Sequence, residues 1–241
     1  VKVMNLDLTS LASVRQFAKE FKTKEDRLDI LVNNAGVMLV PFDKTQDSFE
    51  LTVGVNHLGH FLLTNLLLEL LVKSSPSRII NVSSGAHVRS GPLDFDSFVY
   101  KEENGPKYLS TGAYSQSKLA NILFTNELDR RLKGTRVTSY SLHPGVVQTE
   151  LGRHITLFNL PVIKNLLHIL VWSFLKDSLH GAQTSICCAV DPNITPGKYY
   201  SDCAEKAPYY GMLQDVDADA KRLWDVSKKL VKLKHEETHP I

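Results

Sequence analysis

Apolar residues follow two rhythms along this chain. Short runs at Val1 to Leu6, Leu28 to Val32, Arg78 to Val82, Arg136 to Leu142 and Lys198 to Ser201 predict strands. Between them lie longer stretches whose apolar positions recur at three and four, as on one face of a helix. Leu11, Val14, Phe17, Ala18 and Phe21 form the first of these, with Ser10 as its N-cap. Further helices are expected from about Asp47 to Lys73, from Ala113 to Leu132, from Ala182 to Val190 and from Ala218 to Val231. Gly85 to Thr111 and Val146 to His180 read as less regular. Strand and helix in alternation predict an α/β architecture, a parallel sheet wound on both faces. The strands are continuous apolar runs, which suits a sheet covered on both sides. No linker, repeat or low-complexity segment interrupts residues 1–241, so one domain is expected.

In open sheets of this kind ligands sit beyond the carboxyl ends of the strands. The turns expected there are Asn33 to Gly36, Ser83 to Gly85 and His143 to Gly145, all rich in glycine or small polar residues. The same rim carries the candidate chemistry. Tyr114 and Lys118 stand four apart, so a helix puts both on one face. A phenol titrates near 10. An ammonium beside it favours the phenolate, and the hydroxyl can then exchange a proton with an alcohol or carbonyl oxygen. Taken alone, the pair also fits a plain surface helix. Ser84, after the strand ending at Val82, can bond a substrate oxygen, or simply close a turn. Asn56 falls within a helix, where asparagine has weak propensity. Once buried it needs partners, as structural glue or as the holder of a water.

Asn33-Asn34-Ala35-Gly36, the helix asparagine, the strand-end serine, Tyr114-x-x-x-Lys118 and Pro144-Gly145 come in a fixed order. Together they resemble the short-chain dehydrogenase/reductase family, over essentially the whole chain from Val1 to about Val231. Val55 to Thr64, Ser117 to Asn121 and His143 to Val147 look like its retinol dehydrogenase branch. The resemblance implies a Rossmann-like fold and a nicotinamide cofactor, NADP with NAD as the alternative. It implies Tyr114 as acid/base and Lys118 as the group that tunes it and bonds the nicotinamide ribose. Ser84 would orient the substrate oxygen, and Asn56 would hold a water in a proton relay. Asp7 and Leu8 would touch the adenine, and Asn33, Ala35 and Gly36 would line the adenosine side. Pro144, Gly145 and Thr149 would sit by the nicotinamide and phosphates. The implied substrate is an apolar alcohol or its aldehyde, retinol and retinal first, with a steroid or another lipid-like carbonyl as the alternative. A shortened isoform without catalysis is the third reading.

The family's pattern opens with a strand, Thr-Gly-x-x-x-Gly-x-Gly, a helix and a second strand, and this sequence has no such stretch. That unit supplies the amides that grip a pyrophosphate. The sheet is therefore expected to lack the first β-α-β segment, with Val1 to Leu6 short of a partner, Leu28 to Val32 turned into an edge, and weak cofactor binding and activity by this stretch alone. The chain opens at Val1 in what reads as a strand already under way, so further residues upstream are expected.

Composition narrows the partners. Net charge is +2 over 241 residues, too balanced for a nucleic-acid surface. Lys228, Lys229, Lys232 and Lys234 read as a solvated face. Cys187, Cys188 and Cys203 lack the spacing of a disulfide framework and fit a reducing compartment. The sequons at Asn81 and Asn193 read as chance. His57 and His60 lack further ligands, and no metal is expected. Polar interruptions at Asn159, Lys164 and His168 argue against a spanning helix at Ile155 to Leu175. Its residues, Leu160 and Trp172 among them, could instead wall an apolar pocket or touch a membrane surface. Family relatives are often anchored by an N-terminal apolar segment, so a cytoplasm-facing protein at the endoplasmic reticulum is expected if one is present. A homodimer through the helices at Asp47 to Lys73 and Ala113 to Leu132 is possible in this family.

Overall fold

The computed structural model describes residues 1–102, 108–147, 176–210, 213–237 and 239. Helix α1 (Leu11–Lys24) leads into β1 (Ile30–Asn33). The long helix follows as α2 (Leu51–Val53), a π-helical stretch (Gly54–Gly59) and α3 (His60–Lys73). Then come β2 (Ser77–Val82), α4 (Ser110–Arg131), β3 (Val137–His143), α5 (Ser178–Val190), the hairpin strands β4 (Tyr199–Ser201) and β5 (Ala204–Lys206), and α6 (Val216–Leu230). The sheet order is β1-β2-β3-β4-β5, parallel from β1 to β4, with β5 antiparallel.

Each inner strand sends alternate side chains to opposite faces. On one face Ile79 and Val137 join a large core with Val14 of α1, Phe61 and Leu67 of α3, Leu123 and Phe124 of α4 and Trp224 of α6. On the other, Ile80, Val82, Tyr140 and Leu142 pack against Cys188 of α5 and Tyr200 of β4. Helices thus cover both faces, which is the doubly wound, Rossmann-like arrangement expected from the sequence. The Leu51–Lys73 helix is long and apolar enough to cross a membrane, yet 89% of its most apolar window is buried inside the protein. It is spent on the core.

A buried polar ladder ties the strand ends to the helices. Asn33 and Asn81 face each other across the β1–β2 register. The Asn33 Nδ2 donates to Asn81 Oδ1 at 2.8 Å and to Thr64 Oγ1 of α3 at 2.9 Å. The Asn81 Nδ2 donates in turn to Thr125 Oγ1 of α4 at 3.0 Å. Buried amides of this sort must find partners, and here they set the height of both helices over the sheet.

Three expectations shift and one holds. Val1 to Leu6 forms no strand; Val1 and Val3 are exposed, because a strand needs a neighbour and none pairs with it among the described residues. β1 is an edge, with Ile30 39% and Val32 43% exposed, as the sequence pattern led one to expect. The long helix starts at Leu51 rather than Asp47. Ser48 has φ +63°, and the Asp47 carboxylate instead accepts from Leu11 N at 2.8 Å, capping α1. Strand β5 was not foreseen: three exposed residues carry no apolar pattern to read.

His57 and His60 lie wholly inside this core, and burial pushes them down to about 3 and about 4. The unfolded chain takes up their protons near pH 6.5, well before the folded one does. Stability therefore falls as pH drops below that point, each group contributing up to roughly 1.4 kcal/mol per pH unit. The urea midpoint of the full natural protein is expected to fall between about pH 6.5 and about pH 5; an unchanged midpoint would contradict this burial.

Candidate active site

The carboxyl ends of β1, β2 and β3 open into a cleft of about 800 Å³. The β1 turn contributes Asn34, Ala35 and Gly36, the β2 turn Ser83 and Ser84, and the β3 turn His143, Pro144 and Gly145. Tyr114 and Lys118 of α4 form one wall, and Gly181 and Ser185 of α5 face them.

Lys118 is 5% exposed. Its Nζ donates to the Val82 carbonyl at 3.1 Å, and the same oxygen accepts from Asn121 Nδ2 at 3.2 Å. Burial lowers the Lys118 ammonium to about 8. The main chain of Lys118 is also held, its carbonyl accepting from Ser83 Oγ at 2.7 Å. Ser83 is thereby committed to fixing helix against sheet. Ser84 is the hydroxyl turned to the chemistry. It caps the turn after β2, accepting from Ala86 N at 3.2 Å, and it stands by the Tyr114 phenol, where its hydrogen bond favours the phenolate.

The net shift at Tyr114 runs opposite to the one expected from the neighbouring Lys118. The ammonium sits 5.6 Å from the phenol ring centroid and is bonded elsewhere. Burial dominates at Tyr114, which is 6% exposed, and raises its value despite Ser84. In this cleft the phenol holds its proton at neutral pH.

Asn56 lies in the π-helical stretch and is fully buried. Its Oδ1 accepts from Val37 N at 2.8 Å, while its Nδ2 donates to Val37 O at 2.9 Å and to Ser117 Oγ at 3.0 Å. Of the two readings left open by the sequence, these contacts match structural glue: the side chain clamps the turn after β1 onto α4. The Asn56 carbonyl accepts from His60 Nδ1 at 3.1 Å. Gly36 runs close beneath it, and a Cβ there would come within 2.9 Å of Asn56 Oδ1 and 3.7 Å of Lys118 Nζ. At Gly145, φ is +91° and a Cβ would meet the Lys176 side chain at 2.9 Å. Both glycines thus allow main chain to pack closely against neighbouring side chains at the rim of the cleft.

The remaining candidates divide. Ala35, Gly36, Pro144 and Gly145 line the cleft with Tyr114 and Lys118. Asn33 does not, being spent on the polar ladder. Asp7 and Leu8 lie outside the lining: Leu8 is buried against Gly59, and the Asp7 carboxylate accepts from Thr9 N at 2.8 Å. Thr149 and the apolar stretch at 155–175 fall outside the described residues. His143, read from sequence as part of a turn, lines the cleft, and its buried Nδ1 has no partner among the described residues. Its Nε2 lies 3.4 Å from where a Gly85 Cβ would be. Its place at the end of an apolar strand, next to Pro144, was the available signal.

A phenol, a serine hydroxyl and a buried ammonium at the mouth of a doubly wound sheet are the equipment of a nicotinamide-linked oxidoreductase. Comparison with known proteins agrees, and the chain belongs to the short-chain dehydrogenase/reductase family, in its retinol dehydrogenase-like branch. The family described as short chain dehydrogenase matches residues 1–94. Human retinol dehydrogenase 14 is 48% identical over 234 residues, covering 96% of this chain and 67% of that protein. Human retinol dehydrogenase 11 is 48% identical over 239 residues, covering 97% and 70%. The chain thus spans about two thirds of the length of these relatives. Among solved structures, an uncharacterized protein from Mycobacterium paratuberculosis aligns with a TM-score of 0.67 at 33% identity, covering 100% of this chain and 77% of that one. The Pseudomonas aeruginosa RhlG/NADP active-site complex shares the fold, with a TM-score of 0.58 at 23% identity over 81% and 73%.

Replacing Asn56 by alanine leaves the part-buried Val37 amide without its partner and removes the clamp on the β1 turn. The expected loss is about 1–3 kcal/mol, read as a lower denaturation midpoint. An unaltered midpoint would show that the clamp is dispensable.

Proposed function

We propose that this protein interconverts an apolar alcohol and its aldehyde, retinol and retinal first, by hydride transfer with NADP(H). The observation that carries the reading is the meeting of Tyr114, Ser84 and Lys118 on one cleft. The substrate class rests on its 48% identical relatives bearing the name retinol dehydrogenase, and on Val37, Met38 and Val147, which give the cleft an apolar side. Lys118 fits the ribose of the nicotinamide half, with Pro144 and Gly145 beside it, and Gly36 leaves room for close approach. The cofactor, when bound, supplies or accepts the hydride.

In the reducing direction the carbonyl oxygen lies between Tyr114 and Ser84. Ser84 donates a hydrogen bond to it, and Tyr114 gives up its proton as negative charge grows there. A phenol whose value is raised by burial is protonated at neutral pH and so is ready as the acid. Lys118 keeps a positive charge near neutrality and stabilises the phenolate left behind. Asn56 contributes by holding the β1 turn in position. A relay water at Asn56 and contacts of Asp7, Leu8 and Asn33 with the adenosine half belong to the same reading. Contact with a membrane surface and a place at the endoplasmic reticulum rest on the branch resemblance.

Turnover of all-trans-retinal with NADPH by the full natural protein tests the reading. Tyr114→Phe is expected to lower kcat by about 10²- to 10⁴-fold with little change in fold. Retained turnover in that variant would overturn the assigned chemistry. Activity with steroid carbonyls and none with retinal would overturn the substrate.

A further inference from the structure

Two thiols meet at a place the cleft chemistry does not use. The β4–β5 hairpin is closed by the two-residue turn Asp202–Cys203, flanked by the pair Ser201 and Ala204. Asp202 has φ +52° and Cys203 φ +58°. Such turns favour asparagine and glycine, and a cysteine in the left-handed region is unusual. The turn rests on α5. Cys203 N donates to Thr184 Oγ1 at 3.4 Å, and one helical turn on, Cys187 Sγ lies 3.9 Å from the Cys203 carbonyl. Cys203 lies close enough to Cys187 to help raise its thiol, after burial. Cys203 is exposed and Cys187 half-buried. Cys188, next in the chain, points the other way into the core with Ile80 and Leu142.

We propose that Cys187 and Cys203 are a disulfide-forming pair, which a small-molecule disulfide such as oxidised glutathione converts into a staple between α5 and the β4–β5 hairpin. The exposed Cys203 thiol loses its proton and attacks one sulfur of the oxidant. The oxidant's S–S bond breaks, a mixed disulfide forms at Cys203, and the first small thiolate leaves and takes up a proton. Cys187 then attacks the Cys203 sulfur and releases the second small thiol. Two protein thiols are oxidised and one disulfide is reduced to two thiols, so two electrons and two protons balance. Burial pushes the Cys187 thiol up, which suits it to resolving the mixed disulfide rather than starting the exchange.

The staple bears on the cleft. Asp202 forms an ion pair with Lys176, whose side chain lies over Gly145. Helix α5 supplies Gly181 and Ser185 to the opposite wall. Oxidation fixes these two supports to each other, and its chemistry is independent of the reaction assigned to the cleft.

The test is exposure of the full natural protein to excess oxidised glutathione, then alkylation and peptide mapping with and without reduction. The expected product is a Cys187–Cys203 cross-linked peptide pair, with both residues protected from alkylation until reduced and a raised melting temperature. In Cys187→Ser the exchange is expected to stop at glutathionylated Cys203, while Cys188→Ser is expected to form the cross-link as the unmodified protein does. Wild-type protein that stops at glutathionylated Cys203, or leaves both thiols open to alkylation, would overturn the proposal.

Discussion

The Lys118 ammonium is the constraint on which the site depends. It is buried, no carboxylate pairs with it among the described residues, and it donates to the Val82 carbonyl at the end of β2. Desolvating a cation is costly, and a backbone carbonyl repays only part of that cost. The position is held from two sides: Ser83 grips the Lys118 carbonyl, and Asn121 shares the Val82 oxygen. An ammonium kept so close to a phenol has its effect when the phenol loses its proton.

Around that cation the fold spends polar groups on position. The ladder of Asn33, Asn81, Thr64 and Thr125 fixes both core helices against the strand ends. Asn56 performs the same service one layer out, between the β1 turn and Ser117. The π-helical stretch that carries Asn56 contains Gly54 and Gly59, where a Cβ would strike Thr45 or crowd the Leu8 carbonyl. Close packing on that side thus comes with a local departure from α-helical geometry, a feature often found near functional sites.

Much of this could be read along the chain. The helix from Ala113 and the strands ending at Val82 and Leu142 followed from apolar spacing, and the convergence of Tyr114, Lys118 and Ser84 from the resemblance that their motifs jointly carry. What escaped was decided by contacts distant in sequence. Asp47 looks like the start of its own helix, but caps α1 instead. Asn33 looks like a ligand contact, yet its amide is taken up inside. Val1 to Leu6 has a strand's composition, but pairing depends on a neighbour that composition does not reveal. His143 has an ordinary turn context, and only the folded rim turns it toward the cleft. The balance between burial and charge at Tyr114 depends on where Nζ points, which spacing alone does not fix.

The most direct test of the account is a titration of the Lys118 side-chain nitrogen, followed by NMR in the full natural protein without cofactor. The account predicts a midpoint near 8, well below the ordinary lysine value of 10.5. A midpoint at that ordinary value would mean that the ammonium is solvated and not held on Val82, and the organisation of the site described here would fail with it.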